Sequence, residues 1–153
     1  MRLALFQPDI PQNTGTILRM GACLGVPIDV IGPAGFDMSE RALKRAGLDY
    51  LETVELCRHV GFDSFDDWRR STGHRLVLAS TRGYSAYCDF GFSNNDILMM
   101  GRESVGVPDD VRARVDAAVF IPIRSGTRSL NVAMASAMIL GEALRQTGGI
   151  QDK

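Results

Sequence analysis

Five short stretches of the chain, Leu3 to Phe6, Ile28 to Ile31, Leu76 to Ala79, Ile97 to Met100 and Ala118 to Ile123, are apolar almost without interruption. A strand with one wet face alternates apolar and polar residues, so uninterrupted runs of this length describe strands covered on both faces. Such a sheet is parallel and needs helices on each side, which selects an α/β layer architecture. The intervening segments supply the helices. Thr14 to Leu24 follows Asn13 as an N-cap, places Ile17, Met20 and Leu24 on one stripe, and stops at Gly25. Asp37 with Glu40 three residues later opens a helix through Arg45 that ends at Gly47. Phe65 to Ser71 and Asp109 to Val115 are shorter, with Asp66-Asp67 before Trp68 read as a helix start. The longest runs from Leu130 to Arg145, where Leu130, Ala133, Met134, Ala137, Met138, Gly141 and Leu144 recur at helical spacing. Their small side chains suit close packing, against either the sheet or a second subunit. Without repeat, linker or charge block, residues 1–153 read as one domain.

Composition narrows the chemistry. Hydrophobic residues at 45% and charged residues at 23% suffice for a core and exclude a disordered chain. Neither half of the chain is a basic tail, and the formal charge of −1 offers no support for a nucleic-acid partner, although fifteen of the seventeen basic residues are arginine and could gather on one face. Cys23, Cys57 and Cys88 form no CxxC and no zinc spacing, which places the protein in a reducing cytoplasm. No apolar run is long enough for a secretion signal or a membrane span, so no membrane partner is expected. Carboxylates are scattered without metal-ligand spacing, and no metal is expected. His59 and His74 stand alone, which reads as surface or partly packed histidines rather than triad bases.

Open α/β sheets place ligands beyond the carboxyl ends of their strands, and three polar, glycine-bearing segments lie there. Gln7 to Gly15 precedes a helix carrying Arg19, and either binds an anion or is a proline-stiffened loop. Gly101-Arg102-Glu103-Ser104-Val105-Gly106 has P-loop spacing, but Val107-Pro108 stands where lysine and a hydroxyl residue would meet phosphates and magnesium. No strand leads into GxGxxG, so a dinucleotide site is also excluded. The third, Phe120 to Val132, gathers Arg124, Arg128, Ser129 and Asn131 at a helix mouth, more polar groups than capping requires.

Together, Pro11-Gln12-Asn13-Thr14-Gly15 with Arg19, Gly101 to Pro108, and Ile121-Pro122 leading to Ser129-Leu130-Asn131 resemble the three motifs of the SPOUT superfamily of RNA 2′-O-methyltransferases, in order and nearly end to end. Gly47-Leu48-Asp49-Tyr50 and the short chain are similar to members that methylate cytidine or uridine at the tRNA wobble position, nucleotide 34. The resemblance implies a parallel sheet flanked by helices with a C-terminal trefoil knot, and a cytoplasmic homodimer acting on the tRNA anticodon stem-loop. It implies S-adenosyl-L-methionine as cosubstrate, held by backbone around Ala79, Gly101, Ile121 and Ser129, with Leu130 beside its adenine. By position it puts Asn13 and Arg19 at the target nucleotide, and Ser129 and Asn131 near the transferred methyl. Arg19, Ser129 and Asn131 are then the catalytic candidates, with Arg19 stabilising the emerging alkoxide together with an RNA phosphate. Arg19, Arg124 and Arg128 from two subunits would form the RNA surface. The chain departs from the usual pattern in three places: Ala79-Ser80 replaces leucine and threonine, Arg102 replaces proline, and Gln7 replaces glutamate. Alternatives from other classes are a noncatalytic RNA-binding or assembly module with the same fold and a flavodoxin-like small-molecule binder.

Overall fold

A computed structural model describes residues 1–39, 42 and 53–149. Among the described residues there are seven strands: β1 (Arg2–Phe6), β2 (Ile28–Ile31), β3 (Leu56–His59), β4 (Arg75–Ala79), β5 (Ser85–Ala86), β6 (Asp96–Met100) and β7 (Ala117–Phe120). They form one parallel sheet in the order β3-β2-β1-β6-β4-β7-β5. Leu3 pairs with Ile28 on one side and Leu98 on the other, which puts β1 inside the sheet. The described helices are α1 (Pro11–Leu24), α2 (Phe62–Ser71), α3 (Asp109–Arg112) and α4 (Val132–Thr147).

The uninterrupted apolar strands follow from this layering. Leu3, Leu5, Val77, Leu98 and Met100 point to the face shared with Ile17 and Leu18 of α1 and Ile139 and Leu140 of α4. Ala4, Phe6, Leu76, Leu78, Ile97 and Met99 point to the other face, against Phe65 of α2 and Val111 of α3. Each fully buried aliphatic side chain contributes about 1.5–3 kcal/mol of transfer free energy, so neither face tolerates a polar residue cheaply.

A buried ionic hub fixes the second layer. Asp66, 1% exposed, accepts from Arg69 Nε at 2.6 Å, Arg70 Nε at 3.0 Å and Arg114 Nη2 at 2.5 Å. Burial pushes the Asp66 carboxyl up, but hydrogen bonds from Arg114 and Arg69 outweigh it and hold it below the ordinary carboxylate value. Arg69 also reaches Asp116 at 2.7 Å, and Asp116 accepts the Leu76 N–H. Helix α2 is thereby tied to the entries of β4 and β7. His59 is partly buried, its Nε2 2.8 Å from Asp29 Oδ1, and His74 stacks on Trp68.

Several boundaries differ from the sequence reading. Helix α1 begins at Pro11 after extended Ile10, so Asn13 lies in its first turn and is not the N-cap. Proline at the first position sets that start, having no N–H to satisfy. Helix α2 begins at Phe62, so Asp66 is an interior buried residue and not a helix start. Helix α3 ends at Arg112, and β7 ends at Phe120 before the proline. Asn131 caps α4, accepting the Ala133 N–H at 2.8 Å, so Leu130 precedes the helix. The buried stripe of α4 is Ala133, Ser136, Ile139, Leu140, Ala143 and Leu144, while Met134, Ala137 and Met138 are exposed. The helix expected from Asp37 through Glu40 to Arg45, and Gly47 to Tyr50, fall mostly or wholly outside the described residues. The reading omitted β3 and β5.

Candidate active site

At the carboxyl edge of the sheet, the segments after β4, β6 and β7 meet the start of α1 around one cavity of about 550 Å³. Asn13, Ala79, Gly101, Ile121, Ser129, Leu130 and Asn131 all line it. Arg19, Arg124 and Arg128 do not; all three are exposed outside it.

The segment after β6 is shaped by two glycines. Arg102 and Gly106 exchange backbone hydrogen bonds of 3.0 and 2.9 Å, closing a narrow loop whose return requires Gly106 at φ 72°. A Cβ at Gly101 would lie 2.9 Å from the Gly106 carbonyl carbon, so only glycine lets the two backbones approach this closely.

Side chains then join the motifs. Asn131 Nδ2 donates to Asn13 Oδ1 at 2.9 Å, and Asn13 Nδ2 donates to Glu103 Oε1 at 3.2 Å. Glu103 Oε2 accepts the Asp9 N–H at 3.1 Å, while the Glu103 N–H donates to Asp9 Oδ1 at 3.2 Å. The Ser104 hydroxyl also donates to Asp9, and Arg102 Nε lies 3.7 Å from the same carboxylate. Each amide uses both its oxygen and its nitrogen, so the two asparagines have one orientation only. Burial, and then the neighbouring Asp9, push the Glu103 carboxyl up. Asp9 is held down at about 2 by the Glu103 carboxyl, the Ser104 hydroxyl and the Arg102 guanidinium.

Two charged residues on the wall, Arg82 and Arg112, were not among the sequence candidates, nor was Glu103 assigned a role. The only signal for them is position: Arg82 follows a strand end, and Glu103 sits between the loop glycines. Gln7 is not on the cavity wall; it adopts φ 44° and its amide donates to the Gly32 carbonyl at 3.5 Å, a bond that glutamate could not make when ionised.

The wall combines apolar Leu78, Met100, Val107, Ile121 and Leu130 with exposed-backbone turns and hydroxyls of Ser80, Thr81 and Ser129. An apolar shelf for a flat base, with polar groups at its margins, fits a nucleoside-bearing ligand such as S-adenosyl-L-methionine in size and chemistry. Among the described residues no cluster of His, Cys, Asp and Glu could hold a metal ion, and no helix is long and apolar enough to cross a membrane.

The fold and site define an α/β protein with a nucleoside-sized cavity at the carboxyl edge of a parallel sheet. The chain belongs to the SpoU rRNA Methylase family, whose model matches residues 1–141. It is 60% identical over 148 residues to a tRNA (cytidine(34)-2′-O)-methyltransferase of Beijerinckia indica, covering 97% of this chain and 92% of that protein. A protein of the same name from Ancylobacter novellus is 53% identical, with 97% and 94% covered. A solved structure described as giving insight into 2-OH methylation of C/U34 on tRNA superposes with a TM-score of 0.87 at 41% identity, covering 95% of this chain and 94% of that one. AviRb of Streptomyces viridochromogenes, solved with AdoMet, gives 0.83 at 29% identity, covering 95% of this chain and 60% of AviRb.

Proposed function

We propose that this protein transfers the methyl group of S-adenosyl-L-methionine to the ribose 2′-hydroxyl of cytidine or uridine 34 of tRNA. The observation that carries the reading is the hydrogen-bonded path Asn131–Asn13–Glu103, which draws three distant motifs to one cavity wall. The relatives at 60% and 53% identity bear the name of this activity.

The cosubstrate supplies an electrophilic methyl on sulfonium, so the protein must align a sugar hydroxyl with it and accept a proton. In-line placement supplies up to about 7–11 kcal/mol, whereas a positioned proton acceptor adds roughly 10²- to 10⁴-fold, so positioning dominates. Backbone around Ala79, Gly101, Ile121 and Ser129 holds the cosubstrate, and Leu130 packs by its adenine. Asn13 receives the target nucleotide, Ser129 and Asn131 border the methyl, and Arg19, on the same helix as Asn13, acts with an RNA phosphate to stabilise the emerging alkoxide. Arg124 and Arg128 contact RNA from the exposed segment before α4.

On this reading residues 1–153 are one domain and the segment after β7 threads a trefoil knot, a proposal supported by the family match over residues 1–141. Two copies pair through exposed Met134 and Met138, and the enzyme acts in the cytoplasm on the anticodon stem-loop. The test is incubation with unmodified tRNA and S-adenosyl-L-methionine, followed by mass spectrometry of the nucleosides and mapping of the site. A 2′-O-methyl pyrimidine at position 34 is expected; binding of both ligands with no methylation would make the protein a noncatalytic module.

A further inference from the structure

The wall of the cavity nearest β4 carries two guanidinium groups, those of Arg82 and Arg112, that are at most weakly neutralised among the described residues. Arg112 Nη2 donates to the Ser80 hydroxyl at 2.7 Å and Nη1 to the Arg82 carbonyl at 3.4 Å, and its Nε is buried without a hydrogen-bond partner. Both acceptors are neutral, so neither compensates the charge. Arg82, 67% exposed, has an acidic contact in Asp109 at 3.8 Å, but Asp109 is itself 91% exposed, and such a pair is worth about 0–1 kcal/mol. Arg102 Nε is likewise buried without a hydrogen-bond partner, but the carboxylate 3.7 Å from it, Asp9, is only 17% exposed, so their attraction is screened far less than it would be in water.

The loop that carries Arg82 is held in shape. Gly83 N–H donates to the Ser80 carbonyl at 3.0 Å, Tyr84 N–H donates to the Ala118 carbonyl at 2.9 Å, and Gly83 lies so close to the Val119 backbone that no Cβ fits. Both residues line the same cavity, and the Arg112 guanidinium rests on the backbone of the loop that carries Arg82, so an anion at this wall would meet two positive groups. The exposure of Arg82 favours a ligand that lies across the mouth over a small molecule wholly inside it. We infer that Arg82 and Arg112 form a phosphate subsite for the RNA backbone next to the target nucleotide. This rests on the proposed RNA substrate. The subsite lets a chain of net charge −1 grip a polyanion, because binding depends on where the positive charges stand and not on their sum.

The test measures tRNA affinity across a salt series for the wild type, Arg82→Ala, Arg112→Ala, the double variant and Arg82→Lys, with cosubstrate affinity by calorimetry. Each alanine variant is expected to flatten the plot of log affinity against log salt by roughly 0.7–0.9, and Arg82→Lys to restore it. Cosubstrate affinity stays within twofold. Arg112 also braces the loop, so the exposed Arg82 carries the test alone if Arg112→Ala melts early. An unchanged slope for Arg82→Ala overturns the inference, and so does a tenfold loss of cosubstrate affinity with the tRNA slope intact, which would assign the pair to the cosubstrate carboxylate. If wild type itself neither binds nor methylates tRNA, the RNA reading falls instead.

Discussion

Glu103→Ala cuts the hydrogen-bonded path at its centre. The Glu103 carboxylate accepts from Asp9 N–H at 3.1 Å and from Asn13 Nδ2 at 3.2 Å, both long for hydrogen bonds to a charged acceptor. Such bonds contribute about 1.5–3 kcal/mol each, so two at the weak end sum to about 3 kcal/mol. Burial and the neighbouring Asp9 both raise the Glu103 carboxyl, so removing it relieves part of that cost. The net loss of about 2 kcal/mol lowers Tm by about 4–8 °C for a chain of this size. The larger effect is on rate. Asn13 loses the acceptor that fixes its amide, Asn131 loses the fixed orientation of its acceptor Asn13, and a displacement near 1 Å at a reacting centre costs on the order of 10²-fold. Steady-state kinetics well below the melting temperature should therefore show kcat down on that order, with cosubstrate affinity, which the proposed site rests on backbone groups, changed less than threefold. Glu103→Gln keeps the acceptor for Asn13 and should recover part of the rate. An alanine variant whose kcat stays within twofold of wild type would refute the positioning role even if its melting point fell.

Four further outcomes follow from the same geometry. Gly101→Ala forces a methyl to 2.9 Å from the Gly106 carbonyl carbon, and should lose about 1–3 kcal/mol in thermal melts and weaken cosubstrate binding in calorimetry. Asp66→Asn leaves Arg69, 4% exposed, without the carboxylate at 2.6 Å and should cost about 3–5 kcal/mol in denaturant unfolding; a loss under 1 kcal/mol would deny the hub its structural role. Asp9 ionises in the fold at about 2 and otherwise near 3.8, so its stabilisation is complete above the ordinary value and vanishes as pH falls through about 2. Glu103 is shifted upward and acts in the opposite sense, so Asp9→Asn should flatten the acid limb of stability between about pH 4 and 2. Replacing Met134, 61% exposed, and Met138 with glutamate should give a folded monomer by analytical ultracentrifugation.

The layers were legible because residues facing both sides of a parallel sheet must be apolar, which leaves an unmistakable run in the sequence. The edge strands were not. Leu56-Cys57-Arg58-His59 is only half-buried, with Arg58 exposed, and Ser85-Ala86 is two residues long, so neither carries the pattern that marked the interior. The methionines of α4 sit at helical spacing but outside the buried stripe, since periodicity alone gives the phase of a stripe only when one face is more apolar than the other. At the site, the motif loops were recognisable, yet the bonds that join them were not. Asn131 and Asn13 are 118 positions apart, and an asparagine just before a helical pattern also reads as a cap. Pro11 took that helix start, which freed the Asn13 side chain to reach sideways to Glu103.

That division separates residues that shape the cavity through backbone from residues that act through side-chain atoms. Ala79 and Arg102 contribute to the cavity wall through a strand end and a loop closed by main-chain hydrogen bonds, so the shape survives a change of side chain. Asn13, Glu103 and Asn131 act through particular side-chain atoms, each donor matched to one acceptor, and no replacement of different length reproduces the path. Substitution should accordingly be tolerated along the backbone-built wall, glycines apart, and punished along the side-chain path. A saturation scan scored by methylation would separate the two: Ala79 and Arg102 variants should retain more than a tenth of wild-type rate, and Asn13 and Glu103 variants should fall below it on the order of 10²-fold. Equal sensitivity in both sets would mean that the path merely lines the cavity and does not orient what enters it.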